Sequence, residues 1–338
     1  VQIQQQVDLQ PLHSLRLRAR AEAFCTVTSL AELNEALDWC RHRGVAPVVM
    51  GEGTNIIPAP EVPGLVIHMA ITGRRVLQRG AQWVEVELGA GESLHASLAW
   101  LLAEGCYGLE NLAWIPGTVG AAPVQNVGAY GVEIAPYILA VQVVEVDTGK
   151  SQWLDQQACE FAYRHSVFKT LRGAGWIIVA VRLRLRAEPA VDLGYPALAS
   201  AFAPDAHPSP LQVFEAVIAI RKARLPDPKQ WPNVGSFFKN PVVVAGEAQD
   251  LQARFPTMPQ FAGAPGETKL SAAWLIEHCG WRGRREGHVG MHPQHALVLY
   301  TDGGADAPEV FHWAERIRYD VHQTFGVALE IEPRSVGC

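Results

Sequence analysis

The chain has 338 residues, enough for about two domains of ordinary size or three smaller ones. With 49% apolar and 18% charged residues, it is too hydrophobic and too sparsely charged for intrinsic disorder over most of its length. A net charge of −6 argues against wholesale electrostatic binding to nucleic acid or to an acidic membrane, while leaving room for a local basic pocket. No basic-then-apolar leader is visible from Val1 onward, so a cytoplasmic location is expected.

Ser29 followed by Glu32 has the spacing of a helix-capping box. Leu30, Leu33, Leu37 and Cys40 then recur at helical intervals up to Gly44, which predicts an amphipathic helix with a glycine stop. Pro47 to Met50 is short and apolar like a buried strand, leads into Gly51-Glu52-Gly53-Thr54-Asn55, and strand character resumes at Gly64 to Ile67. Trp83 to Leu88 alternates as a half-buried strand does, and Ser93 is placed to cap a helix through Leu102 that stops at Gly105. Ala140 to Val146 and Trp176 to Leu183 read as further strands, and a Pro- and Ala-rich stretch from Glu188 to Pro210 marks a domain boundary. Beyond it, helical patterning covers Leu211 to Arg221, Lys269 to Cys279 and Ala307 to Phe325, with a strand at Ala296 to Tyr300.

Two stretches are rich in glycine. The turn Gly51 to Asn55 offers backbone N–H groups and a hydroxyl at a strand end, an arrangement that cradles phosphate or simply turns the chain. It has neither the dinucleotide G-x-G-x-x-G pattern nor a P-loop lysine. Between Glu110 and Glu133 no residue is charged, yet Pro116, Pro123, Gly117, Gly120, Gly128 and Gly131 interrupt the run too often for a membrane helix. Small residues there allow close backbone approach to a large ligand, and Thr118, Gln125 and Asn126 supply uncharged hydrogen bonds. The six cysteines lie far apart without a C-x-x-C pair and read as reduced, packed thiols. His288, His292 and His295 fall within eight positions, but Gly290 and Pro293 break any helical facing and no H-E-x-x-H pattern completes a site, so no metal is expected.

The two glycine-rich segments resemble the flavin-binding motifs of the UDP-N-acetylenolpyruvoylglucosamine reductase family. Further matching segments follow in the family's order: Tyr163 to Lys169, Leu225 to Lys229, Gly235-Ser236-Phe237-Phe238-Lys239-Asn240-Pro241, Lys269 to Ile276, and Leu329 to Arg334. The resemblance covers nearly the whole chain. It implies an α+β protein in which a two-part FAD-binding module of the vanillyl-alcohol-oxidase-like type precedes a third, α/β substrate-binding domain. The boundaries expected on that basis are 1–73 and 74–206 for the FAD-binding subdomains and 207–325 for the substrate domain, with 326–338 returning to the first subdomain or to the active site.

The resemblance also implies a reaction: NADPH reduces FAD, and reduced FAD passes a hydride to C3 of the enolpyruvyl group of UDP-N-acetylglucosamine enolpyruvate. The product is UDP-N-acetylmuramate, a precursor of bacterial peptidoglycan. Negative charge then spreads over C2 and the carboxylate, which calls for a nearby cation, and C2 needs a proton. By motif, Arg164 stabilises the enolate, Ser236 donates the proton and Glu332 assists the developing acid form. Flavin contacts are implied at Gly51, Glu52, Gly53, Thr54 and Asn55, and at Pro116, Gly117, Thr118, Gly120, Ala121, Gln125, Asn126, Gly128, Ala129, Tyr130 and Gly131.

Substrate contacts are implied at Tyr163, Tyr195, Arg224, Lys239, Asn240, Arg282, Gln294 and His295, with Tyr195 resembling the substrate-covering tyrosine of one family subtype. Arg224 and Arg282 stand where relatives often carry Lys, His295 replaces a Gln, and Leu12-His13-Ser14-Leu15 replaces an Asn-Thr-Phe-like segment. A monomer acting without nucleic-acid or membrane partners is expected. Two other readings stay open: a different FAD-dependent oxidoreductase on the same scaffold, and a catalytically idle nucleotide-sugar-binding relative.

Overall fold

The structure, a computed structural model, describes residues 1–337; Cys338 lies outside the described residues. The chain divides into two compact units. The first comprises residues 1–7, 21–52 and 63–224, and the second comprises 8–20, 53–62 and 225–338.

The first unit holds two main sheets and a short ribbon of Gly128–Ala129 with Val132–Glu133. A four-stranded sheet has the order Gln4–Asp8, Arg20–Val27, Glu61–Met69, Pro47–Met50, and its last two strands run parallel. The helix Leu30–Arg43 begins and ends on its local signals. Ser29 accepts the amide of Glu32 at 3.2 Å, and Gly44 takes a left-handed φ of 65°. Leu33, Ala36, Leu37 and Cys40 form its buried face. Glu32 accepts from the amide of Thr28, one residue before the cap, instead of from Ser29 as a strict capping box would have it.

The second sheet of this unit has the order Ser151–Asp155, Ile138–Glu145, Trp176–Arg186, Trp83–Gly89, Arg74–Arg79, antiparallel throughout. Alternation along Trp176–Arg186 buries Val181, Leu183 and Leu185 and leaves Arg182 and Arg184 to bond Glu87 and Glu85 of the neighbouring strand. Ser93 occupies the cap position of the helix Leu94–Ala103 but makes no capping bond with its side chain; the amide of Leu94 is satisfied by the carbonyl of Gly117. This ties the helix start to the glycine-rich run.

The helix Pro210–Arg224 packs with the first unit, whereas the sequence reading began a third domain at residue 207. The physical reason is its apolar face: Val213, Phe214 and Val217 are buried in the same core as the two sheets.

In the second unit the strands Val242–Val244, Glu267–Leu270 and Gln260–Ala262 form one small sheet and Arg285–Glu286, Val289–His292 and His295–Thr301 another. The helix Ala307–Phe325 covers the core with Val310, Trp313, Ile317 and Val321, starts on Asp306, which accepts from the Glu309 amide, and stops at Gly326. The stretch Lys269 to Cys279, read as a single helix, is a strand end followed by the helix Ala272–His278. Ser271 supplies the cap that separates them. The C-terminal strand Arg334–Val336 runs parallel to Ile56–Pro58, immediately after the first glycine-rich turn.

No helix among the described residues is long and apolar enough to cross a membrane. Cys25, Cys40, Cys106 and Cys159 are free and buried, and burial raises the thiols of Cys25 and Cys40 to about 11.

Candidate active site

The turn Gly51 to Asn55 carries the chain from the first unit into the second. In the first unit it meets the second glycine-rich segment. A Cβ on Gly51 would stand 2.6 Å from Thr118 Oγ1, and Glu52 Oε2 accepts the amide of Gly117 at 2.9 Å. Glu52 therefore positions the second segment with its carboxylate. In the second unit, Gly53 has φ +64° and a Cβ there would lie 2.5 Å from the carbonyl oxygen of Leu12, so only glycine fits.

The two segments use their backbones differently. Along the second, the amides of Val119, Gly120, Ala121, Ala122, Val124, Asn126 and Val127 all bond to carbonyls of the protein. Among the described residues, the amides of Glu52, Gly53 and Thr54 have no backbone acceptor. The first turn can therefore offer N–H groups to a phosphate, and the second supplies a close-packed backbone wall whose own amides are already bonded. These features fit a dinucleotide-sized cofactor such as FAD.

Asn126, expected from sequence as a flavin hydrogen-bonding residue, turns its side chain inward instead. It is 1% exposed, its Nδ2 donates to Glu133 (2.7 Å) and to the Ala162 carbonyl (3.1 Å), and its Oδ1 accepts from the Ala135 amide (3.1 Å). Both donors and one acceptor site of that amide go into bracing the segment. Arg164 lies against the same stretch, with Nη2 donating to the Gly128 carbonyl at 2.8 Å and its guanidinium 5.5 Å from the centroid of the Tyr163 ring. Ser166, fully buried, donates to the Val124 carbonyl at 2.6 Å and fixes the turn that carries Arg164.

Tyr130 and Tyr195 meet edge to face, with ring centroids 5.2 Å apart. One buried amide holds both of their loops: Asn111 Nδ2 donates to the carbonyls of Tyr130 (2.7 Å) and Asp192 (3.0 Å). Burial pushes the Tyr130 phenol above its usual range, opposed by the charges of Arg221 and Arg224. Arg221 is a residue the sequence reading passed over. It sits three positions before Arg224, on the same face of the helix, and that spacing was its available signal. Gln125, Ala129 and Gly131 lie in the same run, and Gly131 faces Tyr195.

In the second unit, Ser236 is an exposed residue between two fixed points. Before it, Asn233 Oδ1 accepts the Gly235 amide at 2.8 Å; after it, Phe237 and Phe238 are fully buried and packed edge to face. Each buried Phe contributes about 1.5–3 kcal/mol of apolar burial to holding this segment. The Phe237 carbonyl accepts the amide of Glu332 at 2.9 Å, and the Lys239 amide donates to Glu330. This short antiparallel pairing, with Phe238 opposite Ile331, ties the segment that follows Ser236 to the segment that carries Glu332. The amide of Arg334 then donates to the Asn55 carbonyl at 3.1 Å, which places the glycine-rich turn beside the same segment.

Three expected substrate contacts are engaged elsewhere. Lys239 is ion-paired with Glu330, Asn240 Oδ1 accepts the amide of Ala272 at the start of a helix, and Arg282 pairs with Glu277 at 2.6 Å on the surface. Gln294 is exposed in the turn before His295, which begins the last strand of its sheet. The nearby histidines diverge: His288 faces Asp302 at 3.0 Å, while His292 packs under Trp231, where burial lowers its pKa.

Residues 21–155 match the family profile of a FAD binding domain, so the fold and the first-unit site define an FAD-binding flavoprotein. Residues 227–336 match the C-terminal domain of UDP-N-acetylenolpyruvoylglucosamine reductase. Proteins named UDP-N-acetylenolpyruvoylglucosamine reductase are similar along almost their whole length. The one from Paraburkholderia phymatum is 44% identical over 96% of this chain and 95% of its own, and the one from Pseudomonas aeruginosa is 41% identical over 98% of both. The crystal structure of the Thermus caldophilus reductase shares the fold, with a TM-score of 0.69 at 24% identity over 99% of each chain. The chain belongs to the UDP-N-acetylenolpyruvoylglucosamine reductase family.

Proposed function

We propose that this enzyme uses NADPH to reduce UDP-N-acetylglucosamine enolpyruvate to UDP-N-acetylmuramate, the step that family membership indicates in peptidoglycan precursor synthesis. Bound FAD supplies the hydride chemistry. The amides of Glu52, Gly53 and Thr54 hold its pyrophosphate, and the close-packed backbone from Pro116 to Gly131 shapes its bed.

Addition of hydride at C3 of the enolpyruvyl group leaves an enolate, and each remaining demand falls to a side chain. Arg164, braced on the Gly128 carbonyl, keeps a fixed positive charge for the enolate at no cost of reorganisation. Ser236 gives its proton to C2. Stereospecific protonation needs a donor fixed on one side, and the backbone around Ser236 is held by Asn233 on one flank and by two buried rings on the other. Glu332 supports the acid form that develops at the substrate carboxyl. Arg221, Arg224, Tyr130 and Tyr195 bind the nucleotide-sugar diphosphate, for which two guanidinium groups offer paired donors.

The observation that favours this reading most is the backbone pairing that ties the segment of Glu332 to Phe237, next to Ser236, and then bonds Arg334 to Asn55. An idle nucleotide-sugar binder has no need for that pairing. Incubating the FAD-loaded protein with NADPH and the enolpyruvyl substrate tests the reading: substrate-dependent NADPH oxidation with formation of the lactyl ether is expected. NADPH oxidation driven only by oxygen would point to another flavoenzyme.

A further inference from the structure

Trp114 holds a backbone conformation that bulky residues avoid. Its φ is +59°, in the left-handed region where a large side chain is a genuine outlier, and the residue is 42% exposed. A tryptophan that keeps 42% of its surface exposed offsets a strained position only in part through burial. The surroundings nevertheless fix it from several sides. Its amide donates to His95 Nδ1 at 3.1 Å, and its carbonyl accepts from Arg221 Nε at 3.1 Å. The His95 ring meets the indole edge to face at 5.1 Å and is itself stacked on Phe214, and the Lys222 ammonium lies 4.5 Å from the indole centroid.

Arg221 connects this residue to the phenols: it donates to the Trp114 carbonyl, and its charge opposes the burial that raises the Tyr130 phenol. Arg221, Lys222 and Arg224 lie together in the last turn of their helix. Cations at a helix C-terminus are favourable there without any ligand. That alone does not explain why one of them holds the Trp114 carbonyl and a second sits over an exposed indole. An aromatic face with adjoining cations is the chemistry that holds a planar base next to its phosphates.

We propose that Trp114 is a stacking platform for the base of a nucleotide ligand, with Arg221 and Lys222 facing that ligand's phosphates. This rests on the reading above that the enzyme takes nucleotide ligands, of which there are two: the uridine of the substrate and the nucleotides of NADPH. The shared chemistry is a base carrying phosphate, and separate titrations distinguish the sources.

The test uses oxidised, FAD-loaded enzyme titrated calorimetrically with UDP and, separately, with NADP⁺, for the wild type, Trp114→Leu and Trp114→Asn. Leu removes the aromatic face, while Asn also suits the left-handed backbone. Loss of base stacking weakens binding of at least one nucleotide by about 5- to 150-fold, and whichever nucleotide weakens identifies the occupant. Flavin content remains at the wild-type level, and the melting temperature of Trp114→Asn is equal to or above that of the wild type. Dissociation constants within twofold of wild type for both nucleotides in both variants would overturn the proposal. So would weakening that only tracks loss of FAD. If wild-type enzyme bound neither nucleotide, the proposed function itself would fail.

Discussion

Replacing Ser236 by Ala separates chemistry from folding with unusual clarity, because the structure gives opposite expectations for the two. Ser236 is exposed and its neighbours, not its own hydroxyl, hold the backbone: Asn233 takes the Gly235 amide, and Phe237 bonds both Leu297 and Glu332. Removing an exposed hydroxyl away from core and caps changes stability by about 0.5 kcal/mol or less. Removing the group that protonates C2 costs the contribution of a positioned general acid, about 100- to 10,000-fold in rate, or about 3–5 kcal/mol of barrier. The assay is single-turnover reoxidation of NADPH-reduced enzyme by the enolpyruvyl substrate, followed at the flavin absorbance without oxygen, beside thermal melting and the rate of reduction by NADPH. Melting and reduction stay near wild type, and reoxidation falls by at least 100-fold. Ser236→Cys, whose thiol is a stronger acid of similar shape, retains part of the rate. Near-normal reoxidation in the alanine variant, or a fall in melting temperature that accounts for the lost rate, would refute the assignment.

Arg221→Met leaves the Trp114 carbonyl without its donor, so stability falls by about 1–3 kcal/mol by thermal melting and UDP binding weakens more than tenfold by titration. Gly53→Ala places a Cβ 2.5 Å from the Leu12 carbonyl at φ +64°, and it lowers both melting temperature and bound flavin, by more than about 1 kcal/mol of stability. Gly266→Ala, at φ +85° with open space around it, is the control for strain without collision and leaves flavin content unchanged. His13 is 4% exposed and burial lowers its pKa from 6.5 to about 4. The unfolded chain therefore binds the proton more readily: the stability it confers is complete above pH 6.5 and is lost as pH falls from 6.5 towards 4, up to about 3 kcal/mol. Melting of His13→Gln across that window should show a correspondingly smaller loss.

What the sequence revealed and what it hid divide along physical lines. The helix Leu30–Arg43 was legible because a cap at Ser29 and a stop at Gly44 are local signals, as was Ala307–Phe325 between its Asp306 cap and Gly326. The break at Ser271 was hidden because apolar residues on both sides share a helical period, and it is the cap geometry that decides the boundary. For the site, long motifs nominated Arg164, Ser236 and Glu332, the proposed catalytic residues, but no motif states how a polar side chain divides its hydrogen bonds. That Asn126 turns inward to Glu133 and Ala135, and that Glu330 takes the ammonium of Lys239, follows from partners that only the folded chain brings near. Arg221 was missed for the same reason. Its importance comes from the Trp114 carbonyl that it holds and the Tyr130 phenol that its charge influences, residues on separate segments.

The central claim is a two-step redox cycle passing through one bound flavin. Wild-type enzyme loaded with FAD is mixed with NADPH without oxygen until the visible flavin bands bleach, and UDP-N-acetylglucosamine enolpyruvate is then added in stoichiometric amount. The account predicts that the bands return in one turnover with formation of an equal amount of UDP-N-acetylmuramate. Flavin that stays bleached after the substrate is added, while reoxidising normally in air, would contradict it.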